Sequence, residues 1–266
     1  MDDYLHSNRH LWNEWTTLHE QSPAYKVQEF KAGASTLRPI ERAELTDVAG
    51  KRMLHLQCHF GLDTLSWARA GANITGVDLS DGSIALARSL SAELGIPATF
   101  VCSNLFDLPS VLDGQFDIIF TSYGVLNWLD DLNRWAAIIA HFLGPGGIFY
   151  IAEFHPFSRI FDSGSPDLKV ANAYFFEEEP FLFEIQGSYA AETSAPMHGY
   201  NWNHSLGELF NALIGAGLRI EFFNEFPFTL RERIAGMVQG EDGLWRLPQH
   251  HGMVPLLFSL QARKPG

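Results

Sequence analysis

The sequence predicts an α/β fold, a doubly wound and mostly parallel sheet of seven strands with helices on both faces. Two observations carry this. From Arg52 onward, short apolar runs alternate with segments of helical periodicity, the pattern of a parallel sheet covered by helices. The helical segments are each followed by a glycine, Gly71, Gly95 and Gly144, where helices commonly stop. Strands are expected at 52–57, 73–78, 98–102, 116–122 and 147–153, with helices at 62–70, 81–94 and 131–143 between them. A fourth helix is expected from Ser205, because Ser205 and Glu208 form the S-x-x-E of a capping box, and it stops near Gly215 or Gly217. Strands at 218–223 and 256–262 complete the sheet.

Two regions stand outside this repeat. In residues 1–50, Leu5, Trp12, Trp15 and Leu18 mark an amphipathic helix, and the segment reads as an N-terminal helical cap. Residues 154–204 are rich in aromatics, are interrupted by Pro156, Pro166, Pro180 and Pro196, and have strand-like pieces at 173–176, 181–189 and 197–204. A connection of that length inside a compact domain is usually a functional lid. The organisation is therefore a cap (1–50), a cofactor-binding core (51–153), an inserted substrate lid (154–204) and the C-terminal part of the core sheet (205–266), all one structural domain.

The 266 residues include 18 Lys plus Arg against 31 Asp plus Glu, a net charge of −13. That balance argues against a nucleic-acid partner, whose phosphates are met by clustered Lys and Arg. Two cysteines, Cys58 and Cys102, are too few for a disulfide framework and fit a reducing compartment. No apolar run approaches the roughly 18 residues of a membrane span. The N-terminal residues are polar and acidic rather than cationic and then apolar. A cytoplasmic protein with no membrane partner is expected.

In open α/β sheets ligands bind beyond the carboxyl ends of the strands. The loop after the first strand, LHLQCHFGLDT, leads directly into a helix. Asp78 ends the second strand about 20 residues beyond that turn, where an acid can accept both hydroxyls of a ribose. After the third strand, Asn104 offers an amide to an adenine edge and Leu105 covers its face. Together these make an adenosine site. The G-x-G-x-x-G turn is absent and Asp63 sits in the first helical turn, and both features count against a pyrophosphate cofactor.

On these residues the chain resembles the class I S-adenosylmethionine-dependent methyltransferases, over roughly 51–153. The family's D-L-G-C-G-x-G reads here His55, Leu56, Gln57, Cys58, His59, Phe60, Gly61, so Cys58 and Gly61 match beyond the apolar positions. Asp78 matches the ribose-binding acid, and Asn104 stands where the family often has an adenine-contacting Asp. FDIIFTSYGVLNWL followed by Leu143-x-Pro-Gly-Gly is similar to the fourth strand through the start of the fifth. The resemblance implies a Rossmann-like methyltransferase fold, S-adenosyl-L-methionine as cofactor and a small-molecule acceptor. It places cofactor contacts at Gln57, Cys58, His59, Gly61, Asp78, Leu79, Asn104, Leu105 and Ser122. Gln57 and His59 replace glycines that let backbone approach the cofactor. They motivate a rival reading, a non-catalytic binding protein with the same fold. A dinucleotide-dependent oxidoreductase ranks below both.

Methyl transfer from a sulfonium is an in-line displacement, for which positioning can supply much of the rate. A side-chain base serves a hydroxyl or a protonated amine. His155, just after the fifth strand, is the candidate base, with a structural His bonded to its own loop as the alternative. Tyr123, after the fourth strand, is expected either to line the methyl-transfer channel or to fill the gap under the lid. Strand alternation would put His198, Tyr200, Trp202 and His204 on one face, a possible acceptor wall. Their spacing is not a metal-ligand pattern, and no metal is expected. The acceptor, its reacting atom and the oligomeric state are left open.

Overall fold

The computed structural model describes residues 2–191, 193 and 196–266. The chain opens with α1 (Asp2–Gln21), α2 (Val27–Lys31) and α3 (Pro39–Glu44). The alternating core follows as β1 (Arg52–Leu56), α4 (Leu62–Arg69), β2 (Asn73–Asp78), α5 (Asp81–Leu94), β3 (Thr99–Cys102), β4 (Phe116–Ser122), α6 (Leu132–Phe142) and β5 (Leu143–Phe154). Then come the hairpin β6 (Phe181–Gln186) and β7 (Pro196–Asn201), α7 (Leu206–Gly215), β8 (Arg219–Phe226), a small β9 (Val238–Gln239) and β10 (Trp245–Arg246) pair, and β11 (Leu257–Arg263). Among the described residues no helix is long and apolar enough to cross a membrane.

The main sheet has seven strands in the order β3-β2-β1-β4-β5-β11-β8. All neighbours are parallel except β11, which runs antiparallel to both β5 and β8. The expected fold is the observed one. Strand order reverses between β1 and β4, where Met53 pairs with Ile74 on one side and Ile118 on the other. The loops following those strands therefore diverge and open a crevice. On one face α6 and α7 bury Trp135, Phe142, Leu209 and Leu213 against Phe149 and Phe258 of the sheet. On the other, α4 and α5 bury Leu65, Ile84 and Leu90 with Phe60, Phe100 and Phe30 of α2. Residues buried on both faces are why the central strands read as continuous apolar runs.

The boundaries differ at informative places. The expected stop at Gly144 is corrected: α6 passes straight into β5 through the buried Leu143, whose backbone is already extended. Leu143 pairs with Phe116, so burial of that side chain, not glycine, sets the boundary. Gly95, by contrast, caps α5 in the left-handed conformation at φ 64°. In the inserted segment the strand expected at 173–176 does not form, and Phe175 stands exposed. The strand expected at 181–189 ends at Gln186, and that expected at 197–204 ends at Asn201.

Cap and insert pack on each other. Asn8 of α1 brackets Tyr200 of β7, accepting from its N–H at 2.8 Å and donating to its carbonyl at 2.9 Å. The Trp15 indole donates to the Gly187 carbonyl at 2.8 Å. The same helix reaches α5 through Thr16 and Ser83, whose hydroxyls lie 2.6 Å apart. One roof thus covers the carboxyl ends of β1 and β2.

Candidate active site

The turn after β1 takes left-handed backbone at three alternate residues, Gln57 (φ 55°), His59 (φ 51°) and Gly61 (φ 78°). Only the last is a glycine, and it has no alternative: a Cβ there would lie 2.7 Å from the Phe100 ring. Left-handed backbone costs a side-chain-bearing residue roughly 1–2 kcal/mol, so local contacts must hold Gln57 and His59. Gln57 Nε2 donates to the Val125 carbonyl at 3.0 Å, while its Oε1 is buried without a partner. The His59 backbone N–H donates to Asp78 Oδ2 at 2.7 Å. Its ring bridges Ser83 Oγ and His19 Nδ1, each at 2.9 Å, within a wall of Trp12, Tyr25 and Phe60. Burial pushes the His59 pKa well down and that of His19 to about 3. Both rings are therefore neutral near pH 7, so that one donates its N–H and the other accepts.

Asp78 closes β2. Its Oδ1 accepts from the Ser80 N–H at 2.9 Å and its Oδ2 from that of His59. Burial raises the carboxyl to about 6 against the pull of these backbone donors, so it is an anion at neutral pH. Each oxygen keeps a lone pair for an incoming hydroxyl. Leu79, half-buried, follows it. Asn13 of α1 accepts from Ser80 Oγ and the Gly82 N–H, sealing this end.

The other expected cofactor positions divide. Asn104 caps a 3-10 turn, its Oδ1 accepting from the Phe106 N–H at 3.2 Å while its Nδ2 donates to Asp107 Oδ2 at 3.4 Å, which leaves one amide hydrogen and one lone pair for an adenine. Leu105 is buried in the core. The Cys58 side chain faces Gly76, where a Cβ would lie 2.9 Å from its sulfur, so that position serves packing and only its backbone is on the loop. Ser122 Oγ lies 3.5 Å from Asp63 Oδ2.

On the acceptor side the expected base, His155, is buried with both ring nitrogens engaged: Nδ1 accepts from the Phe157 N–H at 3.1 Å and Nε2 lies 2.8 Å from Glu225. It caps a short 3-10 turn. Tyr123 (φ 39°) turns its hydroxyl to Glu41 of α3 at 2.7 Å. Glu41 is fully buried, and burial with the nearby Asp63 raises it to about 7. The proposed histidine wall separates: His198 is exposed, Tyr200 packs at a tilt against Tyr4, and only Trp202 and His204 line a crevice with Glu153, Phe154 and Arg159. The alternation fails because β7 ends at Asn201, before Trp202 and His204.

Residues 54–151 match the family model described as a methyltransferase domain. Over that stretch the chain is similar to the S-adenosylmethionine-dependent methyltransferases. It is 30% identical over 138 residues to a ubiquinone biosynthesis O-methyltransferase of Aromatoleum aromaticum, covering 52% of this chain and 55% of that one. A protein of the same description from Chromobacterium violaceum is 29% identical with the same coverage. The chain thus spans about half the length of the curated relatives it matches. Its fold is similar to that of an S-adenosylmethionine-dependent methyltransferase from Clostridium acetobutylicum, with TM-score 0.59, 14% identity and coverage of 85% and 89%. A Mesorhizobium loti methyltransferase is similar at TM-score 0.56, 20% identity and coverage of 88% and 100%.

The residues present in this methyltransferase domain fit the family's cofactor. Asp78 retains acceptor capacity, and Gln57 Oε1 and His19 Nε2 are buried polar atoms without partners at the same turn. Several groups were not reached from the sequence. His19 falls four and seven residues from the roof tryptophans' positions on α1, a helical spacing that could have found it. Glu153 accepts from the N–H groups of Gly124, Val125, Leu126 and Phe154 and so fixes the loop after β4. Nothing in sequence spacing joins Arg159 to Arg231 and Arg233.

Proposed function

We propose that the protein is an S-adenosylmethionine-dependent methyltransferase acting on a small-molecule acceptor. The single observation that carries this is Asp78, held by two backbone N–H groups at the end of β2 with acceptor capacity to spare, under the roof of α1. When bound, the cofactor supplies an electrophilic methyl group for in-line displacement. Asp78 accepts the ribose hydroxyls, and the turn from Gln57 to Gly61 lets backbone lie against the cofactor. Although two of its residues are not glycines, that turn keeps the left-handed conformation at the glycine positions, which favours a working site over the non-catalytic reading. The roof rings, with Trp12 and Trp15 centred 5.0 Å apart and Trp12 and Trp128 5.2 Å apart, exclude water and suit a planar acceptor. Where the acceptor must lose a proton, Tyr123 with Glu41 is the pair able to take it, in place of His155. The relatives' description as O-methyltransferases favours oxygen as the reacting atom. The acidic chain disfavours nucleic acid as substrate, and two unpaired cysteines fit a cytoplasmic setting.

Calorimetric titration with S-adenosylmethionine, S-adenosylhomocysteine and NAD tests this. Micromolar binding of the first two, lost in Asp78→Ala, is expected. Binding of none would favour the non-catalytic reading, and competition by NAD would revive the oxidoreductase.

A further inference from the structure

Three arginines gather at the acceptor end of the sheet, two of them over one aromatic ring. The guanidinium carbon of Arg233 lies 4.2 Å from the centre of the Phe154 ring, and that of Arg231 lies 5.5 Å from it and 4.5 Å from the Tyr189 ring. Arg159 lines the same crevice as Phe154, which is partly open to solvent. All three side chains are half-buried. Among the described residues, none makes a hydrogen bond or ion pair through its guanidinium. Burial disfavours the charge of each, and Arg159 and Arg233 also feel the charge of Arg231.

The chain does not lack acids to neutralise them. With a net charge of −13 it pairs Arg9 with Asp81, Arg246 with Asp242 and Arg263 with Glu221 at the surface. The carboxylate near the cluster, Glu153, already accepts from four backbone N–H groups. Glu153 favours the charge of Arg159 and Arg233 from a distance, but a partly enclosed, mutually repelling cluster with no acid bonded to its guanidiniums is costly unless an anion completes it. The guanidinium fork is the side chain best matched to a carboxylate or phosphate. The cations lie beside Phe154, which follows Glu153 at the end of β5 and whose ring is 6.1 Å from that of Tyr123.

From this arrangement we infer that Arg159, Arg231 and Arg233 form a subsite for an oxyanion, carboxylate or phosphate, carried by the acceptor. The inference rests on the proposed function only in making the acceptor the carrier of that anion. Arg231, stacked on Tyr189 of the insert, ties the subsite to the roof, and the acceptor's planar body would lie toward Trp128 and Tyr189.

The test is calorimetric titration of the full chain at pH 7.5 with benzoate, phenyl phosphate and the uncharged benzyl alcohol, with and without S-adenosylhomocysteine. Wild type is expected to bind at least one of the two anions ten-fold or more tightly than benzyl alcohol, and less tightly as salt is added. The ratio of benzoate to phenyl phosphate affinity identifies the oxyanion. Arg233→Gln and Arg159→Gln should each weaken anion binding about ten- to hundred-fold, the range of a lost hydrogen bond to a charged group. Arg233→Lys, which keeps the charge and loses the fork, should fall between. S-adenosylhomocysteine affinity reads the fold of every variant. Equal affinity of wild type for charged and neutral probes, or glutamine variants that bind anions as wild type does, would overturn the inference. If S-adenosylhomocysteine fails to bind wild type, the proposed function falls, while the anion titrations without it still decide the subsite.

Discussion

The two halves of the crevice treat polar groups in opposite ways. Beyond β1 and β2, the polar groups are largely bonded within the chain: His59 to Asp78, Ser83 and His19, and Ser80 to Asn13. Beyond β5, two arginines lie over one phenylalanine ring and a third lines the crevice beside it, with no acid bonded to them among the described residues. The first half is preorganised for a ligand that approaches along backbone and offers hydroxyls. The second is electrostatically incomplete and suited to a ligand that brings its own charge. The difference teaches where specificity resides: the family's common cofactor needs little beyond one carboxylate and a tight turn, whereas the acceptor must complete a set of charges.

The sharpest way to break this contrast is at Asp78. Replacing it with alanine removes two charge-assisted hydrogen bonds to the ribose, each worth roughly 1.5–3 kcal/mol, so S-adenosylhomocysteine affinity should fall by more than about a hundred-fold. Unchanged affinity would mean the first half is not the cofactor site. The wild-type affinity should also decline as pH drops through about 6, where Asp78 takes up a proton and loses acceptor strength. Titrations at pH 5 and pH 7.5 check this, and the alanine variant should lose the dependence.

Glu41 offers the next largest effect, on stability. Its carboxyl titrates near 4.5 in the unfolded chain and is raised to about 7 in the fold. Between those values the folded chain binds more protons than the unfolded one, so stability falls as pH rises through this window. A shift of that size corresponds to about 3 kcal/mol. Glu41→Gln does not titrate, so its stability relative to wild type should be greatest above pH 7 and should vanish toward pH 4.5. Denaturant midpoints of both proteins at pH 5 and 8 measure it, and parallel pH curves would show that the carboxyl is not held protonated.

A smaller effect is expected at His155. The alanine variant leaves Glu225 and the Phe157 N–H without their partner, which should lower stability by about 2 kcal/mol. Once an acceptor is known, turnover should be unaffected. A large loss of turnover at unchanged stability would return His155 to the chemistry.

The fold was legible because its signals are local: apolar runs, capping residues and the spacing from Gly61 to Asp78. The same spacing pointed to the turn and to Asp78, the proposed ribose acid. The acceptor half was not, because its groups come from distant parts of the chain. Arg159, Arg231 and Arg233 meet only once the sheet has brought the end of β5 near the loop after β8, and Glu41 reaches Tyr123 across 82 positions. Strand alternation failed at Trp202 and His204 for a related reason. Periodicity holds only as long as pairing does, and β7 stops at Asn201.

The least disruptive change to cofactor binding is expected at His59, where it discriminates between two roles. Glycine there relieves left-handed strain of roughly 1 kcal/mol and keeps the backbone N–H that donates to Asp78. It removes the ring bonds to Ser83 and His19, so stability should fall by about 1 kcal/mol net of the relieved strain. If the ring only holds the roof to the turn, S-adenosylhomocysteine affinity should stay within about three-fold of wild type. A loss of ten-fold or more would mean that the ring itself touches the cofactor, and the first half would then also rely on a side chain where the family relies on backbone.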